Sequence, residues 1–135
     1  MTSEERRTLD DLRRSLLHLH KTMLDWEREA YERVHGRMSP GGLLGVVMSD
    51  PQFAWLRPIS ELIVRIDAAV DRDAPDTVID VKTIVEQART VVTPDLAVGA
   101  FGDRYRAALQ ESPDAVLAHR AVTRLLSVAP SSRTH

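Results

Sequence analysis

The sequence contains no cysteine. This absence excludes disulfide bonds, thiolate nucleophiles and Cys-ligated zinc, so His, Asp and Glu are the remaining candidates for metal ligands. Aromatic side chains are also few, with two each of Trp, Tyr and Phe in 135 residues. The longest apolar stretches, residues 41–48 and 62–64, are far shorter than the ~20 residues that a membrane-spanning helix needs. Together with the polar N-terminal sequence MTSEERR, they predict a cytoplasmic protein without a membrane partner.

The composition is that of a folded protein without a strong charge bias. Hydrophobic residues make up 43% and charged residues 28% of the chain, and the net charge is −2. Such a chain has enough apolar surface to fold, but it has no overall positive field that would hold nucleic acid. Its length suits a single domain. We expect one helical domain over residues 1–129 and a flexible tail over residues 130–135.

A heptad pattern runs through the first 36 residues. Its apolar positions alternate at spacings of three and four, which is the signature of one long α-helix with a stripe that needs a partner: Leu9, Leu12, Leu16, Leu19, Met23, Trp26 and Ala30. Thr2 and Glu5 have the spacing of a capping box, and Gly36 suits the end of the helix. The predicted helix over residues 2–36 would be about 50 Å long at 1.5 Å per residue.

A capping side chain followed by proline marks three later helix starts, at Ser39-Pro40, Asp50-Pro51 and Ser112-Pro113. Pro58 predicts a kink or break near residues 55–57, because its ring clashes with the preceding turn of a straight helix. Apolar periodicity then predicts helices over residues 40–48, 59–70, 77–92, 103–110 and 112–128. The predicted fold is an all-α, single-domain bundle of four main helices, over residues 2–36, 59–70, 77–92 and 112–128, with short connecting helices.

Two columns of side chains lie beside the heptad stripe of the first helix. His20 and Glu27 fall in the nearer column, and together with Trp26 they could line a polar pocket for a small ligand. The alternative, which we favour from the sequence, is that both polar side chains lie at a helix boundary with their tips in water.

The outer column consists of Leu17, Leu24 and Tyr31. It widens the apolar arc beyond what one neighbouring helix covers. This predicts self-association, with the first helix at the interface of a homodimer.

No set of residues predicts a catalytic site, and we expect no cofactor. Glu32 and His35 form the only Glu-x-x-His match, whereas di-iron bundles use two such pairs, so we expect no metal site. Residues 103–126 could form a helix-turn-helix, but its reading helix would begin with Pro113-Asp114, which is acidic where phosphate contacts belong. We therefore do not expect nucleic acid as a partner.

Residues 50–58 read Asp-Pro-Gln-Phe-Ala-Trp-Leu-Arg-Pro and hold two of the aromatic side chains. Trp55 is in step with the apolar stripe of the following helix, which predicts a core position. Phe53 pairs with Leu56 beside Arg57, a combination that could anchor a protein partner. An equally favoured alternative is that the helix over residues 40–48 simply covers Phe53.

This block resembles a signature in a group of small uncharacterised bacterial helical proteins, Asp-Pro-x-Phe-x-Trp-Leu-Arg-Pro before a helix rich in Leu, Ile and Val. The resemblance covers residues 43–67 and implies an all-helical fold without a particular activity. Our leading functional hypothesis is a non-enzymatic, self-associating interaction protein. The alternatives are a small-ligand or metal-binding bundle with its pocket near Trp26, His20 and Glu27, and a helix-turn-helix DNA-binding regulator.

Overall fold

A computed structural model describes residues 2–71, 81–93 and 99–129 of the chain. Within these ranges the secondary structure is entirely helical, which confirms the all-α prediction. The elements are α1 (Ser3–His35), α2 (Pro40–Ser49), a 3-10 helix (Pro51–Leu56), α3 (Arg57–Val70), α4 (Val81–Val92), α5 (Gly99–Glu111) and α6 (Pro113–Val128). The predicted start of the fourth helix at residue 77 and the predicted tail, residues 130–135, lie outside the described residues.

The predicted caps begin the helices. At α1, the Thr2 side chain accepts a hydrogen bond from the backbone N–H of Glu5, and the Glu5 carboxylate accepts one from the backbone N–H of Thr2. The Ser39 hydroxyl caps α2 by accepting from the backbone N–H of Gly42, and the Ser112 hydroxyl caps α6 by accepting from the backbone N–H of Ala115. Proline follows each of the two serines. These bonds satisfy N–H groups that would otherwise lack a partner in the first helical turn.

The chain changes from 3-10 to α-helix between Leu56 and Arg57. This change confirms the predicted break, since Pro58 then lies in the first turn of α3, where its missing N–H costs no hydrogen bond. Trp55 is buried, as predicted. The sequence prediction of a short helix over residues 103–110 was too short, because α5 already begins at Gly99.

The core lies between α1 and the helices that pack along it. α1 packs against α3 and α6, and α4 packs against the same two helices. Buried apolar side chains of α1, the 3-10 helix, α3, α4, α5 and α6 form one continuous cluster. α2 packs against the 3-10 helix but contributes no buried side chain to the cluster. In the described part of the chain, none of the helices has the length and hydropathy that crossing a lipid bilayer requires.

The buried stripe of α1 departs from the heptad after Met23. Its next fully buried position is Glu27, whereas Trp26 and Ala30 are half-buried. A straight helix completes five turns in 18 residues, so Glu27 lies on the same side of α1 as Leu9. The helix geometry thus directs a carboxylate into the core.

Candidate functional site

Glu27 is a charged side chain inside the apolar core. Its exposed fraction is 1%, and it is the only buried charged residue in the described part of the chain. A buried carboxylate is costly unless donors satisfy its lone pairs and a cation opposes its charge. The sequence interpretation that the Glu27 tip lies in water was therefore wrong.

Four donors satisfy the Glu27 carboxylate. Oε1 accepts hydrogen bonds from Trp55 Nε1 at 2.7 Å and from Arg104 Nε at 3.1 Å. Oε2 accepts from Gln52 Nε2 at 3.2 Å and from Arg104 Nη2 at 2.8 Å. Each oxygen thus receives two donors, and the paired bonds to Arg104 have the bidentate geometry of strong carboxylate–guanidinium contacts. The network joins α1, the 3-10 helix and α5.

Trp26 also contacts the Arg104 guanidinium. The guanidinium carbon lies 4.4 Å from the centroid of the Trp26 ring, a cation–π contact. Trp26 Nε1 donates a hydrogen bond to Glu111 Oε1 at 3.3 Å, and the Trp26 and Trp55 rings meet edge-on at 6.3 Å. Arg104 is therefore held between an aromatic face and a carboxylate.

An open groove of about 560 Å³ runs along this network. Apolar and small residues form most of its wall, and the ion pair lies at its polar end. The lining residues are Glu27, Pro51, Gln52, Ala54, Trp55, Ala100 and Arg104. We call this space the Glu27 groove. Its volume lies within the range of small-molecule sites in proteins.

The structure joins two of the three predicted pocket residues. Trp26 and Glu27 meet through Arg104, but His20 makes no hydrogen bond to this network among the described residues and does not line the Glu27 groove. His20 is half-buried, and this burial lowers its pKa. Arg104 and Gln52, which complete the network, were not predicted from the sequence.

Phe53 and Leu56, predicted to anchor a partner, are both buried within the chain. The Phe53 ring lies 5.6 Å from the Tyr31 ring, and α2 packs against the 3-10 helix that carries it. Only Arg57 of the predicted group is exposed. The prediction of an exposed apolar pair was therefore wrong, and burial inside the chain, the alternative, describes both side chains.

The outer column of α1 is largely covered. Leu24 and Tyr31 are half-buried against the core, and Tyr31 also stacks on His35 with 4.1 Å between ring centroids. Leu17 remains exposed. This column therefore offers one exposed apolar side chain to a partner rather than three.

α2 exposes two large apolar side chains, Leu44 and Met48. It contains no charged residue and no buried one. Gly41, Leu44, Gly45 and Met48 share one side of the helix at the spacing of successive turns, and all four are exposed. A Cβ placed on Gly41 or Gly45 would meet no atom within 4 Å. We call these four residues the α2 face.

Glu32 and His35, the Glu-x-x-His pair, contact different groups within the chain. Glu32 accepts a hydrogen bond from the backbone N–H of Met38 at 2.9 Å and lies 3.7 Å from Arg28, while His35 stacks on Tyr31. Within residues 2–71, 81–93 and 99–129, no group of three or more His, Asp and Glu side chains could hold a metal ion.

A second polar contact lies inside the bundle, between α5 and α6. The Tyr105 hydroxyl lies 2.7 Å from His119 Nδ1. Burial raises the pKa of Tyr105 and lowers the pKa of His119. Burial thus favours the neutral form of both groups, and the tautomer of the imidazole determines which of the two donates the hydrogen bond.

Comparisons with protein-family models, curated proteins and solved structures found no match to this chain. The resemblance of residues 43–67 to small bacterial helical proteins stays a prediction. Two features of the molecule are candidates for binding a partner or a ligand: the uncharged α2 face and the Glu27 groove.

Proposed function

We propose that this protein is a non-enzymatic interaction protein that forms a homodimer through the α2 face. The observation that carries this proposal is an apolar helix of 10 residues without a charged or buried side chain. Leu44 is 62% exposed and Met48 is 78% exposed. Burying such side chains is favourable by about 1.5–3 kcal/mol each, so water disfavours the exposed arrangement. A cytoplasmic location is part of this proposal and rests on the sequence prediction.

A second copy of the chain suits the α2 face as the partner. In a two-fold dimer the same patch occurs on both subunits, so a charged patch would repel its own copy. α2 carries no charge, and this repulsion is absent. Gly41 and Gly45 lie one turn apart with open space before them. They leave room for the backbone of a second helix to approach closely, as small residues do at helix interfaces.

Multi-angle light scattering over a concentration series tests the dimer. We expect the measured mass to rise with concentration toward twice that of the chain. Leu44→Lys places a charge in the interface, so the protein concentration at which the dimer forms should rise at least about tenfold. Leu117→Lys is the matched control. Leu117 is 63% exposed and lies on α6, outside the α2 face, so its substitution should leave that concentration unchanged.

Leu17→Lys separates the α2 face from the outer column of α1, since Leu17 is the exposed member of that column. A loss of mass with Leu17→Lys alone would move the interface to α1 and contradict the role of α2. A monomer at about 100 μM, well above the dissociation constants of ordinary weak dimers, would reject self-association altogether. Binding of that monomer to lipid vesicles would make the α2 face a membrane-surface contact instead.

A further inference from the structure

We propose that the Glu27 groove binds a small molecule with a carboxylate on an apolar body, and that Arg104 holds the carboxylate. This site is distinct from the α2 face, and the proposal does not depend on self-association. It rests on three observations: the hydrogen bonds that Arg104 leaves unmade, the apolar wall of the groove, and the burial of Glu27.

Arg104 has a second set of donors. Its guanidinium carries five N–H groups, and Glu27 takes one on Nε and one on Nη2. The two groups on Nη1 and the second one on Nη2 have no hydrogen-bond partner in the described part of the chain. One N–H group of Nη1 and the second N–H group of Nη2 are parallel and form the other fork of the planar group, which matches the two oxygens of a carboxylate. The Arg104 side chain is 39% exposed and lines the groove, so a ligand in the groove can contact it.

The position of Arg104 is fixed before any ligand arrives. Its ion pair with Glu27 and its contact with the Trp26 ring hold the guanidinium plane. A ligand therefore does not need to order this side chain, which lowers the entropic cost of binding. One guanidinium can bridge two carboxylates because its two forks point in different directions.

The rest of the groove suits an apolar body. Trp55 supplies a large ring, Pro51 supplies an apolar edge, and the small side chains of Ala54 and Ala100 leave the groove open. Contact with these surfaces would bury apolar ligand atoms, while the carboxylate stays at the polar end.

A cationic ligand does not fit the same site. Glu27 is the acidic group of the groove, but it is 1% exposed and already accepts four hydrogen bonds. It has no lone pair left for an incoming ammonium group. Arg104 lines the same groove, is the more exposed of the two charged side chains and has donors that Glu27 does not use, so the chemistry selects an anion.

Four probes of related structure test this proposal on the full chain. Octanoate has the carboxylate and the apolar chain, octanol and octylamine have only the chain, and acetate has only the carboxylate. Trp55 lines the groove and Trp26 contacts Arg104, so tryptophan fluorescence reports binding. We expect saturable binding of octanoate, with octanol at least about tenfold weaker because it cannot use both donors of the fork. Acetate and octylamine should give no saturable signal.

Two variants locate the site. Ala100→Leu places a larger apolar side chain in the groove wall and should weaken octanoate binding about tenfold without removing a member of the ion pair. Ala68→Leu is its matched control, since Ala68 is another exposed helical alanine, on α3 and outside the groove. Arg104→Lys keeps the charge but loses the fork, so octanoate should bind about tenfold more weakly.

Three results would overturn the proposal. Octanol or octylamine binding as tightly as octanoate would remove the role of the carboxylate. Unchanged octanoate binding by Ala100→Leu would place the ligand elsewhere. No saturable octanoate signal from the wild-type chain would reject the site, and this result does not depend on whether an Arg104 variant folds.

Discussion

The hydrogen bonds of Glu27 determine whether the core tolerates its charge. Removing one partner from a buried ion pair usually costs several kcal/mol, whereas replacing the whole pair with apolar side chains can be neutral. The network is therefore weak evidence for extra stability. The carboxylate is satisfied only when α1, the 3-10 helix and α5 are placed together, so we expect the network to favour this arrangement over other compact ones.

Phe53 and Trp55 should behave alike when truncated. Both rings are buried, Phe53 at 2% exposure and Trp55 at 6%. Each substitution to Ala should lower the free energy of unfolding by about 3–5 kcal/mol, because it removes a large apolar group and leaves a cavity. Urea denaturation of the two variants measures this loss.

Ala54 lies between Phe53 and Trp55 in the sequence and is exposed. Ala54→Ser therefore tests whether a substitution in the 3-10 helix by itself lowers stability. It should change the free energy of unfolding by no more than about 0.5 kcal/mol. A Phe53→Ala protein within about 1 kcal/mol of wild type would contradict this prediction and would return Phe53 to the candidates for a partner contact.

At the level of elements, replacing Gly45 in α2 and Gly36 at the end of α1 with alanine should change the free energy of unfolding in opposite directions. Gly45 lies inside α2 with open space around a new Cβ, so Gly45→Ala should stabilise the dilute protein by about 0.5–1 kcal/mol. Gly36 ends α1 at φ +85° and ψ 168°, a region that essentially only glycine adopts, so Gly36→Ala should cost about 1–3 kcal/mol. Thermal melts at low concentration compare the two variants. A loss of stability in Gly45→Ala would show that α2 is not helical at that residue.

Local signals were sufficient to predict where α1, α2 and α6 begin. Thr2 with Glu5, and Ser112 with Pro113, form their contacts within one turn, so residues near in sequence determine them. The apolar period likewise needs only the sequence of one helix. The break before α3 followed from Pro58 alone. These predictions were confirmed because the physics that decides them is short-range.

The candidate site depends on contacts that short-range patterns do not carry. Glu27 and Arg104 are separated by 77 residues, and no spacing rule links them. One signal was available: Glu27 follows Leu9 by five full helical turns, which predicts a buried position and hence a need for a cation. The heptad interpretation missed it, because a period of 3.5 assigns Trp26 and Ala30 to the stripe instead.

At the level of the whole molecule, stability should fall as the solution becomes acidic. Burial lowers the pKa of His119 and of His20 in the folded state. As the pH falls below the ordinary histidine pKa of about 6.5, the unfolded chain takes up these protons first, so protonation favours unfolding. The two neutral histidines therefore contribute fully to the free energy of unfolding above that pH. Their contribution decreases below it, until the histidines of the folded state are protonated as well.

Urea denaturation at about pH 7.5 and 5.5 measures this effect while staying above the ordinary carboxylate range. His119→Asn keeps an acceptor near the Tyr105 hydroxyl but cannot titrate. It should reduce the difference in unfolding free energy between the two pH values, and adding His20→Asn should reduce it further. An unchanged difference in the double variant would assign the acid sensitivity to other groups.

The packing of α1 against α6 has a consequence for synthesis on the ribosome. α1 ends at His35, whereas α6 begins at Pro113 and ends at Val128. At about 5–20 residues per second, the first helix waits several seconds before the helix that covers one of its sides is made. During that interval the nascent chain exposes leucines of α1, so we expect chaperones to bind this segment until α6 has been synthesised.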